Sequence, residues 1–443
     1  MKIAIIGYAT EGAASYEYFV RGGHEVTICD RATDIELPPG SAAQLGVNYL
    51  AGLDRFDVVV RSAGIPPSVL LAENPDSASK ITTAVNEFLR VCPTQNVIGI
   101  TGTKGKGTTS TLTAKMLEAA GKTVWLGGNI GRSPLEFIDD IKPDDWVVLE
   151  LSSFQLSDVQ HSPHIAVCLM VVPEHLNWHA DMADYVAAKS HLFSGQKRDD
   201  VAIYYAESDT SRDIAAHGDG TKVPYYAPPG AHIVDGSIVI ADHRICQTNE
   251  LKLLGRHNWQ NACAAVTAVW QALKPSAPSE IDTAKTAIRD VLTTFSGLPH
   301  RIEFVREVHG IRYYNDSFAT GLHATIAALE AIAEPKVLIV GGFERMLPLE
   351  HFAEYVAEKK SAFSNILVIG QSGPRLANVL QDAGVAHFTL DTTSKTMPEI
   401  IRAATALAHP GDAVLLSPGF ASFDMFKNFE ERGDLFRQEV NAL

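Results

Sequence analysis

The sequence predicts an α/β protein of three domains, each built on a mostly parallel sheet. Three observations carry this: short apolar, β-branched runs alternate with helical stretches, a glycine-rich turn joins one run to a helix at Ile98–Thr109, and Pro93 and the stretch near Ser296 punctuate the alternation. The domains then span residues 1–91, 92–296 and 297–443. A chain of 443 residues is long enough for two or three such cores.

Composition narrows the class. Hydrophobic residues at 46% and charged residues at 20% are those of a soluble globular protein. The start, Met1 to Gly7, breaks too soon for a signal peptide, and no apolar run approaches membrane-spanning length. A cytoplasmic location without membrane insertion is expected. A formal charge of −15 speaks against a nucleic-acid partner, so any anionic substrate must be held by local basic groups and helix ends. Cys29, Cys92, Cys168, Cys246 and Cys263 show no C-x-x-C spacing, so buried thiols are expected rather than a disulfide framework or a zinc site.

In the first region a strand at Lys2–Ile6 leads through Gly7-Tyr-Ala-Thr-Glu-Gly12 into a helix ending near Arg21, and a second strand, His24–Cys29, ends at Asp30-Arg31. This is the opening βαβ of a dinucleotide-type fold, with Asp30 near the distance at which such folds contact a ribose or base. Ala9 stands where the second fingerprint glycine would let the backbone approach a pyrophosphate, which favours a nucleotide-sugar or structural role over NAD. Phe56–Val60 reads as a buried strand ending at Arg61-Ser-Ala-Gly64-Ile-Pro66-Pro67, a turn where open α/β sheets place ligands.

The middle region shows strands at Val97–Ile100, Thr123–Leu126, Trp146–Leu151 and Ile165–Val171. After the first, residues Gly102 to Gly107 form a phosphate cradle, followed by a helical pattern from Ser110 towards Ala120. Glycines let several N–H groups face one anion, and the helix adds its positive end. Lys106 supplies a point charge, and Thr108 or Thr109 a hydroxyl for Mg²⁺. The spacing departs from G-x-x-x-x-G-K-[ST], because Ile100 stands at the first glycine and Gly107 at the Ser/Thr position.

Glu150 ends the strand from Trp146 and either holds the metal or caps the next turn; beside a phosphate loop the metal role is favoured. His175 and His179, four apart, could share a helical face as a transition-metal pair, but His175 as ligand of a second Mg²⁺ is the sharper reading. Lys189, after an apolar Val-Ala-Ala run, reads on its residues alone as a surface lysine packing its stem. Asn258 and Asn261, at the entrance of an alanine-rich helix, are either caps or readers of a base. In the last region strands at Lys336–Val340, Asn365–Ile369 and Ala413–Leu416 repeat the alternation, and Tyr314-Asn-Asp-Ser317 ends a further strand in a polar cluster.

Longer motifs carry a family resemblance. Gly128-Asn-Ile-Gly131, Glu150-Leu-Ser-Ser-Phe-Gln-Leu156, Gly297-Leu-Pro-His-Arg-Ile-Glu303, Asn315-Asp-Ser317, and Leu416-Ser-Pro418 with Ala421 to Phe429 resemble the Mur ligase superfamily of ATP-dependent amide-forming enzymes, and most closely its glutamate-adding branch. The resemblance spans all three regions. It implies that ATP phosphorylates the carboxylate of UDP-N-acetylmuramoyl-L-alanine, and that the amine of glutamate, expected as D-glutamate, attacks the acyl phosphate to give an amide, ADP and phosphate. This is a step of peptidoglycan precursor synthesis.

The same resemblance distributes roles. The N-terminal domain would hold UDP through Asp30, Arg31 and Gly64, with Asn129 and His175 facing the muramoyl substrate or second metal. Gly102, Thr103, Lys104, Gly105, Lys106, Gly107, Thr108 and Thr109 would wrap the ATP phosphates. Thr108 and Glu150 would hold the first Mg²⁺. Lys189 aligns with the lysine that the family carbamylates, which overturns its surface reading: the carbamate would bind a second Mg²⁺ beside His175. Asn258, Asn261, Arg301 and Asp316 match positions holding adenine, ribose and phosphate. Thr320, Ser422 and Phe429 match the acceptor pocket, and Arg345 stands about where a lysine would contact the acceptor's side-chain carboxylate.

The catalytic set is thus Lys106, Glu150, His175 and Lys189, and a monomer acting on small molecules is expected. Departures from the branch pattern are Glu174 and Asn177 in place of aspartates, Phe318 in place of lysine and Gly321 in place of asparagine. Two alternatives stand beside this reading. One is a folylpolyglutamate synthetase, whose phosphate loop the stretch Thr103-Lys-Gly-Lys-Gly-Thr108 resembles through its inserted-looking Gly107; the other is a nucleotide-binding regulator that has lost catalysis.

Overall fold

The computed structural model describes residues 1–175, 178–253, 255–391 and 396–443. Asn177, one of the departures noted above, lies outside the described residues. The chain forms two compact units, Met1–Leu251 with His257–Thr294, and Lys252–Arg256 with Phe295–Leu443.

The first unit opens with β1 (Lys2–Ile6), β2 (Glu25–Asp30), β3 (Ala42–Leu45), β4 (Val58–Arg61) and β5 (Ile81–Thr82). They pair in parallel in the order β3-β2-β1-β4-β5. A second parallel sheet contains β6 (Val97–Thr101), β7 (Val124–Gly128), β8 (Trp146–Glu150), β9 (Ile165–Cys168), β10 (Val201–Tyr205) and β11 (Thr221–Tyr225), in the order β11-β10-β9-β6-β8-β7. Every residue of β6 and β8 is buried, as an internal parallel strand covered on both faces requires. Their sequences therefore run apolar without alternation. The unit also holds an antiparallel sheet of β12 (His232–Val234), β13 (Ser237–Ile240) and β14 (His243–Gln247).

The second unit carries β15 (Glu303–Val308), β16 (Ile311–Asn315), β17 (Lys336–Gly341), β18 (Phe363–Ile369), β19 (Phe388–Thr389) and β20 (Ala413–Leu416), in the order β15-β16-β20-β17-β18-β19. Only the β15/β16 pair is antiparallel. Leu338 and Val340 belong to one apolar cluster and Val337 and Ile339 to another, so the alternation of β17 fills a core on each face of the sheet.

The α/β class and parallel sheets are those expected. Two local expectations change. The helix after β6 runs Lys106–Ala119, starting four residues before Ser110, because Gly105 adopts a left-handed conformation (φ +86°) and turns the chain directly into it. The sheet over residues 232–247 follows β11 without a helix between them, which the α/β alternation did not anticipate. Among the described residues no helix is long and apolar enough to cross a membrane.

Candidate active site

The phosphate loop sits at the carboxyl end of β6. The first bond of the helical ladder is Thr109 N–H to Gly105 O at 2.9 Å, so the amides of Lys106, Gly107 and Thr108 occupy the first turn, at the positive end of a 14-residue helix. A Cβ on Gly105 would lie 2.2 Å from Asn261 Oδ1, which places Asn261 directly against the loop. Asn261 Nδ2 donates to Asn258 Oδ1 at 2.8 Å, so both asparagines belong to the phosphate-loop end of their helix. Lys106 Nζ lies across the loop, donating to the carbonyls of Gly102 and Thr103, each at 3.1 Å. At the rim, Lys104 pairs with Glu174 at 2.8 Å. Thr108 keeps a trace of exposure, whereas Thr109 is wholly buried.

Glu150 is a buried carboxylate on the neighbouring strand. Asn129 Nδ2 donates to its Oε1 at 2.7 Å, and the Asn129 N–H donates to its carbonyl at 2.8 Å. Gly128 makes that approach possible: it has φ +102°, and a Cβ there would meet Glu150 O at 2.3 Å. The turn after Glu150 is capped by Ser152, which exchanges bonds with Gln155. The capping alternative for Glu150 is therefore overturned.

Lys189 is 1% exposed, which removes the surface reading of its residues alone. Its Nζ donates to Gly102 O at 3.0 Å and lies 4.5 Å from the centre of the Tyr185 ring. Burial, reinforced by the nearby Lys106 charge, lowers its pKa to about 7. Tyr185 in turn bonds Thr103 Oγ1 at 2.9 Å, and burial pushes its phenol up to about 12.

His175 is exposed, with its ring 4.8 Å from Phe154 and 6.4 Å from Tyr185. Partial desolvation of the ring lowers its pKa, and Lys106 and Lys189 lower it further, against Glu174, which raises it. A neutral imidazole suits a metal ligand. His179 does not join it, because both its nitrogens are engaged: Nδ1 with Asp184 at 3.0 Å and Nε2 with Ser153 Oγ at 2.9 Å. The paired-histidine idea fails for that reason. The Asp–His–Ser chain has the connectivity of a nucleophile relay, yet Ser153 is 1% exposed and no substrate carbonyl can reach it.

In the first sheet Asp30 accepts from the Tyr8 N–H at 2.6 Å and the Ala32 N–H at 2.8 Å, tying the turn after β1 to the end of β2. Arg31, Gly64 and Asn129 are exposed. In the second unit Asp316 accepts from Ser417 Oγ at 2.7 Å and the Ile302 N–H at 3.1 Å, and burial raises its pKa to about 7. The Arg301 guanidinium stacks 3.8 Å from the centre of the Phe318 ring, which meets Phe429 edge-on at 5.0 Å. Arg345 Nη2 reaches to within 3.5 Å of Thr320 O, and Ser422 is buried. The candidates thus gather locally: phosphate loop with Asn258, Asn261 and Lys189; Glu150 with Asn129; Arg301 with Phe429; Thr320 with Arg345.

Sequence reasoning gave no role to Arg61, Tyr185, Trp178 or Arg432. The usable signal was a charged residue closing an apolar strand, as at Arg61: such a group must be paired inside. Arg432 is 1% exposed and binds Ser317 through both its side-chain hydroxyl and its carbonyl, at 2.9 and 2.8 Å.

A glycine-rich loop and helix end beside a buried carboxylate on a parallel sheet define a phosphate-binding nucleotide protein of the α/β class. Family patterns agree: residues 100–269 match the Mur ligase middle domain, and residues 300–420 match the Mur ligase glutamate ligase domain. The chain belongs to the Mur ligase family. It is similar to the UDP-N-acetylmuramoylalanine–D-glutamate ligase of Symbiobacterium thermophilum, at 37% identity over 100% of this chain and 98% of that protein. The enzyme of the same name from Acetivibrio thermocellus is 34% identical over 100% of this chain and 96% of its own. In fold it is similar to a pseudomurein peptide ligase type C from Methanothermus fervidus (TM-score 0.58, 17% identity, 100% and 99% of the two chains). E. coli FolC in complex with DHPP and ADP shares the fold too (TM-score 0.58, 19% identity, 86% and 99%).

Proposed function

We infer that this chain is an ATP-dependent, ADP-forming ligase that joins D-glutamate to UDP-N-acetylmuramoyl-L-alanine in peptidoglycan precursor synthesis. The observation that carries the reading is the joint presence of the phosphate loop and a buried, low-pKa Lys189 bonded to it, in a chain more than 30% identical over its full length to ligases of that name.

The reaction divides into two transfers. A carboxylate oxygen of the alanyl group attacks the γ-phosphorus of ATP and ADP leaves. The glutamate amine then attacks the acyl carbon, loses a proton, and the carbon–oxygen bond to phosphate breaks. Lys106, with the first-turn amides, receives the phosphate charge. Asn129 fixes the Glu150 carboxylate.

Magnesium fits the donor set. The donors present, the Thr108 hydroxyl and the Glu150 carboxylate, are hard oxygens, and a Mg²⁺ ion there would complete its shell with phosphate and water. Thr108 and Glu150 would hold one ion, and His175 with a carbamylated Lys189 a second. Bound there, Mg²⁺ would offset the charge developing on the transferred phosphoryl group. Lys189 is suited to carbamylation because only an uncharged amine attacks CO₂, and a pKa near 7 supplies that form at neutral pH. Asp30, Arg31 and Gly64 would receive the UDP group, Asn258, Asn261, Arg301 and Asp316 the nucleoside and phosphates of ATP, and Thr320, Arg345, Ser422 and Phe429 the amino acid.

Phosphate release decides. Turnover is expected with UDP-N-acetylmuramoyl-L-alanine and D-glutamate, and not with L-glutamate or with a folate plus L-glutamate. Turnover only with the folate would replace the reading, and ATP binding without turnover on any pair would leave a regulator.

A further inference from the structure

β4 is apolar from Val58 to Val60 and then presents Arg61, which is 0% exposed. A guanidinium keeps its charge and carries five N–H donors, so burying one is costly unless its donors are used. Here they are. Nε and Nη2 grip the two oxygens of Asp158, each at 2.8 Å. Nη2 also reaches Phe154 O at 2.7 Å and Ser157 Oγ at 2.5 Å. Nη1 faces the carbonyls of Ser62, Ala63 and Ile65 at 3.4, 3.3 and 3.0 Å.

One edge of the guanidinium therefore holds the loop at the end of β4, and the other holds the helix Ser153–Leu156 and the residues after it, which follow Glu150. Two further ties cross the same seam. The Trp178 indole N–H donates to Gly64 O at 3.2 Å. Glu11 accepts from the Ala63 N–H at 3.1 Å and from Gln155 Nε2 at 3.3 Å. With these, the carbonyls of residues 62 to 65 are all bonded within the protein, and the loop cannot shift without breaking the Arg61 fork.

We propose that Arg61 is a positioning residue: by clamping the 62–65 loop to the segment after Glu150, it sets where the UDP end of the substrate sits relative to the phosphoryl-transfer site. The proposal rests on the reading above that Gly64 lies at the UDP site. A lysine would keep the charge, but its three donors radiate from one point and cannot span both the Asp158 carboxylate and the loop carbonyls.

The test compares Arg61→Lys and Asp158→Asn with wild type in steady-state kinetics, with thermal melting to establish folding. Each variant should raise KM for UDP-N-acetylmuramoyl-L-alanine at least about tenfold and leave KM for ATP within about twofold. An unmoved UDP-substrate KM in a folded variant overturns the proposal, as does an equal rise in both KM values, which is general loosening. Should Arg61→Lys not fold, Asp158→Asn decides alone, since that carboxylate is partly solvated (18% exposed). If wild type itself fails to use this substrate, the functional reading falls and the clamp falls with it. Wild-type turnover with unmoved KM removes only the clamp.

Discussion

Lys189 Nζ donates to the carbonyl oxygen of Gly102 at 3.0 Å, so the helix Met182–Ser194 delivers an amine to the base of the phosphate loop. That amine is buried and beside Lys106, and both facts disfavour its charged form.

If Lys189 carries the proposed carbamate, its replacement removes a ligand from the proposed second Mg²⁺ site. Lys189→Ala should lower kcat by about a hundredfold or more, and acetate should restore part of it as a detached carboxylate. With a pKa near 7, the amine fraction able to take up CO₂ grows as pH rises through 7. Stimulation of the wild type by bicarbonate should therefore be largest below pH 7 and fade above it. Full activity in the alanine variant would remove the carbamate from the mechanism.

The hydroxyl that serves Mg²⁺ can be located by paired substitutions. Thr108→Ala should cost at least about tenfold more in kcat than Thr109→Ala, because Thr109 is wholly buried within the packed helix while Thr108 borders the loop. Equal losses would sink that register.

Asp316 makes stability depend on pH. In the unfolded chain its carboxyl ionises near the ordinary value of 3.8, and in the folded chain near 7. Between those values the folded state holds the extra proton, so raising pH from about 4 to about 7 removes stability, on the order of a few kcal/mol in total. Asp316→Asn lacks that loss. Its melting temperature should climb relative to wild type across this window and stay higher by a constant margin above it; parallel curves throughout would contradict the burial argument.

Arg345 offers a test of the acceptor. Arg345→Ala should raise KM for glutamate at least about tenfold without changing KM for ATP, and Arg345→Lys should recover part of the loss, since charge is kept and the bidentate fork is not. A glutamate KM unchanged in the alanine variant would move the acceptor's carboxylate elsewhere.

Much of the fold was legible because internal parallel strands are buried on both faces. β1 and β20 match the runs Lys2–Ile6 and Ala413–Leu416 to the residue, since each ends where a turn begins. The sheet over 232–247 was not legible: its strands are three to five residues long and only partly buried, too short for periodicity to speak. In the candidate site, Lys106 and Glu150 could be singled out from their places just after a strand and at a strand's end. Tyr185 and Trp178 could not, because nothing near them in sequence announces a partner.

The sequence by itself determined the α/β alternation, the phosphate loop and the order of its motifs, because these depend on neighbours along the chain. Only the tertiary structure decided the states of side chains whose partners are distant. It withdrew Lys189 from solvent and shifted its pKa, bound both nitrogens of His179, and closed Arg61 on Asp158. A pKa shift and a saturated guanidinium are properties of the surroundings in space, and residues far apart in sequence supply those surroundings.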